Sequence, residues 1–412
     1  MDEYSVLIEN GVERKQMELA SKVSLTEGEG TEVTEVTDVW RHPAEWEPHY
    51  GCIILWPHNT STFNLPLVKP ELYSIIEHIS TSETLLLYLP PHQTSTYDTS
   101  DPPIDPTLNE IITLSISPSH SIIFKSVASN DTWARDTSPI FLTSSPSSPP
   151  SPSFLKSLSF NFNAYGGPLH GCYWPCSLDV LLSSKITEDL AEDLGLEEEK
   201  HLNFVFEGGS FCTNGRGVML TTEECLVEGF RNEMSKDEIS SYLLKTFNLL
   251  KISWLPHGLY ADNDTNGHCD NFCCFLNSNT VGLAWTDDKD DPQFDRSDVA
   301  LKILEGEGLR VVKIPLPKVQ YLTSDDVNEL KVIDSATERI VGERLAASYI
   351  NFYISNNKCI VPAFGDEMDE VARRIIEREV GREAVSVFSR NLLVGGGNVH
   401  CQTMQVPVGV GL

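Results

Sequence analysis

Pairs of short apolar runs, each pair joined by a short polar turn, recur along the chain. They are FVFEGGSFCTNGRGVMLT (204–221), NFCCFLNSNTVGLAWT (271–286) and NFYISNNKCIVPAF (351–364), with the turns NGRG, NSNT and NNK. Asn and Gly accept the backbone angles of tight turns, so each segment predicts a β-hairpin. Shorter apolar runs of the same character lie at 51–57 and 138–144.

Helical patterns lie between the predicted hairpins, at 235–248, 296–308 and 366–381. In the last of them, four apolar residues fall near helical spacing, with charged residues on the opposite face: Met368, Val371, Ile375 and Val380. The alternation of hairpins and helices predicts an α/β fold. The hairpins recur roughly every 70 residues, which indicates repeated modules.

Two segments lack the apolar residues that a core requires. Residues 1–38 are acidic and rich in Thr and Gly, which predicts a disordered N-terminal arm ahead of a single α/β domain over 39–412. The run SSPSSPPSPS (144–153) is rich in Pro, which excludes a helix or a central strand. We therefore expect a loop insertion at about 143–153.

Composition and charge narrow the class of partner. The chain has 412 residues, of which 40% are hydrophobic, and its net charge is −30 because 60 Asp and Glu outnumber 30 Lys and Arg. This balance argues against nucleic acid or an anionic membrane as the main partner, although acidic surfaces commonly serve solubility alone. The ten cysteines, without an export signal or a run of about 20 apolar residues, predict free thiols and a cytoplasmic location.

The first candidate for chemistry is Cys401, which follows His400 and the glycines of GGGNVHC (395–401). If NVHCQTMQV is a strand, the side chains of His400 and Cys401 point to opposite faces, and a base for Cys401 must come from elsewhere. The glycines would allow a ligand to approach closely. The residues alone leave two readings, a buried core thiol or a nucleophile.

A second candidate lies in LYADNDTNGHCDNF (259–272), where a polar loop leads into an apolar hairpin. His268 and Asp270 are two residues apart, so on a strand they would share one face. A carboxylate beside an imidazole can orient it for proton transfer. A plain surface turn is an equally good interpretation of these residues.

Two further segments carry charged residues beside aromatic residues or glycines. In NDTWARDTSP (130–139), Trp133 could be a platform for a flat cation, with Asp131 or Asp136 as its counter-charge. The alternative is an exposed ion pair between Arg135 and a neighbouring carboxylate such as Asp131. In FEGGS, Glu207 stands at a strand end beside two glycines, where either a ligand or solvent could lie.

Metal and nucleotide sites find little support. Cys269, Cys273 and Cys274 crowd around His268, but the second matched ligand pair of a zinc site is missing. On a strand these groups would also point to both faces. No glycine-rich dinucleotide or phosphate motif follows a strand. We therefore predict neither a metal nor a cofactor.

Taken together, the polar segments closely resemble the agmatine deiminases of the guanidine-modifying (pentein) superfamily. The matching stretches run in the family's order through most of 42–407: HPAEWEPHYGCIILWPH (42–58), NDTWARDTSP (130–139), FNFNAYGG (160–167), FEGGSF (206–211), MLTTEECL (219–226), WLPHGLYADNDTNGHCDNFCCF (254–275), WTDDKDDPQFDRS (285–297), GERLAASYINFYI (342–354) and GGGNVHC (395–401). The resemblance implies a five-fold pseudosymmetric α/β propeller around a central active site. It also implies a homo-oligomer.

The resemblance implies hydrolysis of agmatine to N-carbamoylputrescine and ammonia, a step of putrescine and polyamine biosynthesis, through an amidino-cysteine intermediate and without metal or cofactor. By position, Cys401 matches the nucleophile, His268 the general acid and base, and Glu207 the carboxylate that partners His268.

The implied substrate contacts come from four further side chains. Asp136 and Asp270 match the carboxylates that grip the guanidinium, and Trp133 matches an aromatic wall of the pocket. Asp264 matches an acidic position near the substrate and is expected to meet the distal amine.

The sequence departs from the family pattern at four positions. Tyr165 stands where Trp is usual, and His257, Ala261 and Asn263 stand where Arg, Gly and Glu are common. These departures put the tail-binding side of the pocket, and so the substrate preference, in question. An arginine or peptidyl-arginine deiminase is the alternative, although its substrate needs a cationic partner and only Arg135 is evident. A propeller that binds ligands without catalysis is a further alternative.

Overall fold

The computed structural model describes residues 39–91, 105–145, 154–331 and 337–408. Its strands are β1 (Val39–Arg41), β2 (His49–Leu55), β3 (Thr84–Leu89), β4 (Ile122–Ser126), β5 (Ile140–Ser145), β6 (Leu155–Asn161), β7 (Glu197–Val205), β8 (Phe211–Thr213), β9 (Val218–Thr222), β10 (Lys251–Leu255), β11 (Cys273–Asn277), β12 (Thr280–Trp285), β13 (Arg310–Pro315), β14 (Tyr353–Ile354), β15 (Lys358–Ala363), β16 (Glu383–Phe388) and β17 (Met404–Pro407).

Helices alternate with these strands, as the sequence pattern predicts. They are α1 (Leu65–Ser80), α2 (Pro106–Ser115), α3 (Ala134–Thr137), α4 (Gly167–His170), α5 (Ser177–Leu194), α6 (Glu223–Leu226), α7 (Lys236–Thr246), α8 (Cys269–Phe272), α9 (Pro292–Gly306), α10 (Ser324–Asn328), α11 (Met368–Val380) and α12 (Arg390–Val394). The mixed α/β class is confirmed.

Over the described ranges the strands form five sheets with one recurring topology. The orders are β1-β5-β6-β7, β10-β9-β8, β11-β12-β13, β14-β15-β16 and β17-β2-β3-β4. In each sheet two strands pair antiparallel, and one of these two also pairs with a parallel strand on its other side. The three predicted hairpins are therefore confirmed as β8–β9, β11–β12 and β14–β15. The helices predicted after them are α7, α9 and α11, which lead to the parallel strands.

Local sequence signals explain where the crossover helices begin and end. Ser235 and Glu238 form a reciprocal capping box at the start of α7. The Asp291 side chain accepts from the Gln293 N–H at the start of α9, with Pro292 in the first turn. Gly381 ends α11 in the left-handed conformation, at φ 75°.

The inward face of α11 is rotated from the predicted one. Ala372 and Ile376 are buried in the core, whereas Val371 is 43% exposed. Met368, Ile375 and Val380 flank the core and are only partly buried. The small Ala372 side chain lets the helix pack closely, a contact that apolar spacing alone does not reveal.

The first residues of the predicted loop insertion lie in a strand. Thr143, Ser144 and Ser145 belong to β5, a central strand of its sheet, in which Ser144 pairs with Trp40 of β1. The first proline of the run is Pro146, so Ser144 and Ser145 keep the backbone N–H groups that a sheet requires. Phe154 donates its N–H to the Ser144 side chain. Residues 146–153 and the proposed arm at 1–38 lie outside the described residues, so both stay predictions.

Three buried clusters form the core, and each joins side chains from more than one sheet. One of these clusters contains Trp133 and Cys401, so it packs directly behind the candidate site. Within the described ranges, no helix has the length and apolar content needed to cross a bilayer.

Candidate active site

Short helices and the connections between elements carry the predicted site residues. Asp136 lies in α3, Glu207 follows β7, His268 precedes α8, Asp270 lies within α8, and Cys401 lies on the turn before β17. All five side chains are buried, with Glu207 and His268 fully so. The structure thus brings together residues that are far apart in the sequence.

The strand interpretation of both cysteine-histidine segments was wrong. Residues 399–402 form a turn and Cys269–Phe272 form a helix, so side-chain alternation applies to neither segment. At 262–272 the reason is local. The Asp262 carboxylate accepts from the backbone N–H of Thr265 (3.1 Å) and of His268 (3.1 Å), which folds the loop and starts the helix.

His400 and Cys401 consequently do not point to opposite sides. His400 Nδ1 lies 2.8 Å from Asp270 Oδ2, and Cys401 Sγ lies 3.7 Å from the same oxygen. The other ring nitrogen of His400, Nε2, lies 2.9 Å from Glu45 Oε1. Since both nitrogens of His400 have carboxylate partners, neither is positioned to take the proton of Cys401.

The absence of a side chain at Gly209 makes room for the site. A Cβ at this position would lie 2.6 Å from His268 Nδ1, 2.9 Å from Asp136 Oδ1 and 2.9 Å from Asp270 Oδ2. The Gly209 N–H also donates to Asp136 Oδ1 at 2.9 Å. The glycine of FEGGS therefore both admits and fixes the surrounding side chains.

His268 lies close to two acidic side chains. Its Nδ1 lies 3.9 Å from Asp136 Oδ1 and 3.9 Å from Asp270 Oδ1. Burial disfavours the charged ring, but the charge of Asp136, the contact with the Cys225 thiol and the charge of Asp270 outweigh it and raise the pKa of His268 to about 10. The imidazole is therefore a proton donor at neutral pH.

Glu207 is held by Arg231, which sequence reasoning missed. Arg231 Nε donates to Glu207 Oε1 at 2.9 Å, and both side chains are fully buried. Three of the other four guanidinium hydrogens go to the carbonyls of Tyr165, Gly229 and Thr265. Arg231 thus ties Glu207 to the loops around His268, a link that no local pattern could reveal.

Asn351 is a second residue that sequence reasoning missed. Its Nδ2 lies 3.1 Å from Cys401 Sγ, and its Oδ1 accepts from the His400 N–H at 3.0 Å. Burial raises the pKa of the Cys401 thiol, as do the charges of Asp270 and Asp136. The Asn351 amide opposes this effect because it can stabilise a thiolate. The segment 342–354 was one of the resemblance segments, but its Asn had no assigned role.

The two predicted guanidinium carboxylates differ in their partners. Asp136 Oδ2 accepts from the Tyr165 hydroxyl at 2.9 Å. Burial raises the pKa of Asp136 to about 6, against the opposing charge of His268. Asp270 Oδ1 and Glu207 Oε2 are buried without a hydrogen-bond partner among the described side chains and backbone. Such oxygens suit a planar cation that donates several hydrogen bonds.

Trp133 and Cys401 line one pocket of about 510 Å³, together with Asp136, Tyr165 and Asp264. The ring of Trp133 packs against Gly397, where a Cβ would come within 2.5 Å of it. The structure therefore places four of the predicted site residues, Trp133, Asp136, Asp264 and Cys401, around a common space. His268, Glu207 and Asp270 are not among the residues that line this pocket.

A family model described as Porphyromonas-type peptidyl-arginine deiminase matches residues 41–407. The chain belongs to this deiminase family. Agmatine deiminase of Medicago truncatula is 36% identical over 383 residues, which cover 89% of this chain and 96% of the relative.

Solved structures of the family are similar as well. Agmatine deiminase of Enterococcus faecalis is 28% identical, with a TM-score of 0.77 and coverage of 89% of this chain and 96% of that one. Agmatine deiminase of C. jejuni is 25% identical, with a TM-score of 0.71 and coverage of 90% and 97%. The resemblance deduced from the sequence segments is therefore confirmed.

The cationic side chain that lines the pocket of Trp133 and Cys401 is Arg339, not Arg135. Arg339 Nη1 lies 2.8 Å from both carboxylate oxygens of Asp264, and Nη2 donates to the Gly395 carbonyl at 2.8 Å. The alternative interpretation of an exposed ion pair between Arg135 and Asp131 is contradicted. Arg135 is buried and its Nη1 lies 3.4 Å from Glu45.

Of the departures from the family pattern, only Tyr165 lines the pocket with Cys401. Ala261 and Asn263 line an adjoining cavity of about 470 Å³, which shares Asp264 and Arg339 with that pocket. His257 is exposed. The departures therefore affect the surroundings of Asp264 and Arg339 more than those of the thiol.

One group of side chains in the described part of this deiminase-family chain has the spacing of metal ligands. One ligand atom each of Glu207, Cys225 and His268 lies within 4.8 Å of the others. However, Arg231 already pairs with Glu207, and a guanidinium so close would oppose a second cation. We assign no metal to this group.

Proposed function

We propose that this protein is an agmatine deiminase, which converts agmatine and water to N-carbamoylputrescine and ammonia. The observation that carries the proposal is the convergence of a thiol, an imidazole and three carboxylates in one buried site. Two of the carboxylate oxygens there, on Asp270 and Glu207, lack partners in the described structure. Family relatives named agmatine deiminase over most of both chains support this choice.

The carboxylates bind the guanidinium in this proposal. A guanidinium offers N–H donors in a plane and stays protonated at neutral pH. Asp136 and Asp270 accept from it, and the Trp133 ring forms a wall of the same pocket. The positive charge of the bound substrate offsets the carboxylates that oppose ionisation of Cys401, so the thiolate forms once substrate is present.

The first chemical step is attack of the Cys401 thiolate on the central guanidinium carbon, which forms a C–S bond. His268 enters as the imidazolium because its pKa is raised to about 10, and it gives its proton to the departing nitrogen. The C–N bond breaks, ammonia leaves, and the amidino group remains on Cys401.

The second step returns the enzyme to its starting state. His268, now neutral, takes a proton from a water molecule, which attacks the amidino carbon. The C–S bond then breaks with its electron pair on Cys401, the hydroxyl proton of the former water passes to that sulfur, and the ureido product is released. A carboxylate oxygen of Glu207 lies within 4.8 Å of a ring nitrogen of His268, and Arg231 fixes Glu207 through Oε1, so Glu207 orients and supports the imidazolium.

The substrate tail meets Asp264 and Arg339. Asp264 is the proposed partner of the distal amine of agmatine. A second candidate, deimination of a guanidine with a carboxylate-bearing tail such as arginine, gains support from Arg339, because this guanidinium lines the pocket. Agmatine remains the first choice because relatives named agmatine deiminase match over most of both chains.

The finer architecture belongs to the same proposal. The five sheets of the described ranges share one topology, which supports a five-fold pseudosymmetric α/β propeller with the site at its centre. We also propose a homo-oligomer and a cytoplasmic location, which rest on the family resemblance and on the free thiols.

A substrate panel tests the function. We expect ammonia and a ureido product from agmatine, with a higher kcat/KM than from arginine or a peptidyl arginine. Turnover of arginine without turnover of agmatine would overturn the first choice in favour of the second. A Cys401→Ser variant is expected to lose activity, whereas Cys359→Ser, at another fully buried cysteine, is expected to keep it.

A further inference from the structure

A chain of charged side chains, buried except for the partly exposed Glu45, leads to the candidate site. Arg135 Nη1 lies 3.4 Å from Glu45 Oε1, and Glu45 Oε1 lies 2.9 Å from His400 Nε2. His400 Nδ1 lies 2.8 Å from Asp270 Oδ2. Cys401 Sγ is 3.7 Å from that same oxygen, so the chain ends beside the thiol.

The partners of His400 determine its charge. A carboxylate oxygen can only accept hydrogen bonds when ionised, so a histidine between two carboxylates must donate from both ring nitrogens. It is then an imidazolium. The charges along the chain alternate as Arg135 positive, Glu45 negative, His400 positive and Asp270 negative, the arrangement that offsets the cost of burial.

The contact with His400 makes the two carboxylate oxygens of Asp270 different. Oδ2 is occupied by His400, whereas Oδ1 has no partner among the described residues. Oδ1 lies 3.9 Å from His268 Nδ1 and is the oxygen available to a ligand. A carboxylate whose second oxygen is fixed loses less rotational freedom when it binds a substrate.

We propose that His400 is a positioning residue for Asp270. Its Nδ1–H holds Oδ2 so that Oδ1 is presented to the guanidinium, and its positive charge offsets Oδ2 where that oxygen faces the Cys401 thiol. Glu45 and Arg135 hold His400 in turn. This proposal deepens the proposed function and rests on it for the identity of the substrate.

Two amide substitutions separate the contacts of the ring. The amide nitrogen of Asn can take the place of Nδ1, and that of Gln can take the place of Nε2. His400→Asn is therefore expected to keep the donor to Asp270 and lose the contact with Glu45. His400→Gln is expected to do the reverse, although it fills more of the space left by the ring.

The KM for agmatine should depend on whether residue 400 still donates a hydrogen bond to Asp270. We expect His400→Gln to raise KM for agmatine by about 10- to 100-fold, the range for losing a hydrogen bond to a charged group. His400→Asn should stay within about threefold of the wild-type KM, because the bond to Asp270 remains. A space-filling role predicts the opposite order, since Gln is the larger side chain. That order, or two unchanged KM values, would overturn the positioning role.

The thiol gives a readout that does not depend on the substrate. Without agmatine, alkylation of Cys401 by iodoacetamide, followed by mass spectrometry of its peptide across pH, reports the thiolate fraction. Both variants lack the imidazolium, so we expect both to react more slowly than the wild type at a given pH, by about tenfold for one unit of thiol pKa. Profiles identical to the wild type would overturn the charge part of the proposal.

A second buried histidine provides the control. His49 lies 3.3 Å from Glu83 and outside the residues placed in the site. His49→Asn and His49→Gln should leave KM and the alkylation profile unchanged, and they measure the general cost of replacing a buried imidazole. If wild-type protein turns over no guanidine, the proposed function fails, and the alkylation profiles still decide the role of His400.

Discussion

Three site residues, His268, Asp136 and Asp270, crowd around Gly209, and this crowding gives a prediction that depends only on steric contact. In Gly209→Ala, the added Cβ would stand 2.6 Å from His268 Nδ1 and 2.9 Å from oxygens of both Asp136 and Asp270. Real Cβ contacts are longer than 3.0 Å, so the three side chains must move apart. One methyl group therefore displaces the proposed general acid and both proposed guanidinium carboxylates together.

The size of the effect follows from these distances. A normal contact of about 3.5 to 4 Å requires displacements of roughly 0.6 to 1.4 Å. A misplacement of about 1 Å can cost on the order of 10²-fold in rate, so we expect kcat/KM to fall by at least about 100-fold. Overpacking costs about 1–3 kcal/mol of folding free energy. Alanine offsets up to about 1 kcal/mol of this cost, because it lowers the conformational entropy of the unfolded chain. The variant should therefore fold.

The assay is agmatine turnover together with urea unfolding. Gly306→Ala is the matched control, because a Cβ at this last position of α9 would meet no atom within 4 Å. The control should keep wild-type kinetics and gain up to about 1 kcal/mol of stability. Near-normal kcat/KM in folded Gly209→Ala would refute the reasoning, because the three groups would then not need their present positions.

Three further predictions concern the groups around the site. In Tyr165→Phe, Asp136 loses a 2.9 Å hydrogen bond, so we expect kcat/KM to fall by about 10- to 100-fold. In Arg231→Met, Glu207 becomes an unpaired buried charge, so urea unfolding should show a loss of about 3–5 kcal/mol. The pKa of His268 is raised to about 10, so its stabilising contribution is complete below pH 6.5 and is lost as the pH rises from 6.5 to about 10. The stability difference between wild type and His268→Gln should decrease over that interval.

Each of these predictions has a contradicting result. Unchanged kcat/KM in Tyr165→Phe would mean that Asp136 needs no hydroxyl partner. A loss below about 1 kcal/mol in Arg231→Met, similar to the exposed Lys185–Glu188 pair tested as Lys185→Met, would contradict a buried charge at Glu207. A difference between wild type and His268→Gln that grows with pH would reverse the sign of the His268 shift.

The repeated elements were predictable from the sequence because their signals are local. Turn residues such as those in NGRG and NNK, with apolar runs on both sides, mark the hairpins of three sheets. Apolar spacing marks the crossover helices, although the inward face of α11 follows Ala372, whose small size gives no hydrophobic signal. Strand register within each sheet depends on contacts between modules and could not be predicted.

The site was predictable only in part. The residues proposed for chemistry stand in short, unusual segments, so a resemblance could find them. Their partners could not be found in this way: Arg231, Asn351 and Arg339 reach the site from distant segments and carry ordinary local sequences. The strand alternation assumed around Cys401 was wrong because the chain turns there, and only the structure places His400 against Asp270.

The central claim is that Cys401 attacks the guanidinium carbon. Rapid acid quenching of the enzyme during agmatine turnover, followed by proteolysis and mass spectrometry, tests it directly. We predict an amidino group on the peptide that contains Cys401, which forms and disappears with turnover and is absent in Cys401→Ser. An adduct on Cys172 or Cys225 instead, or full turnover by Cys401→Ser, would contradict the account.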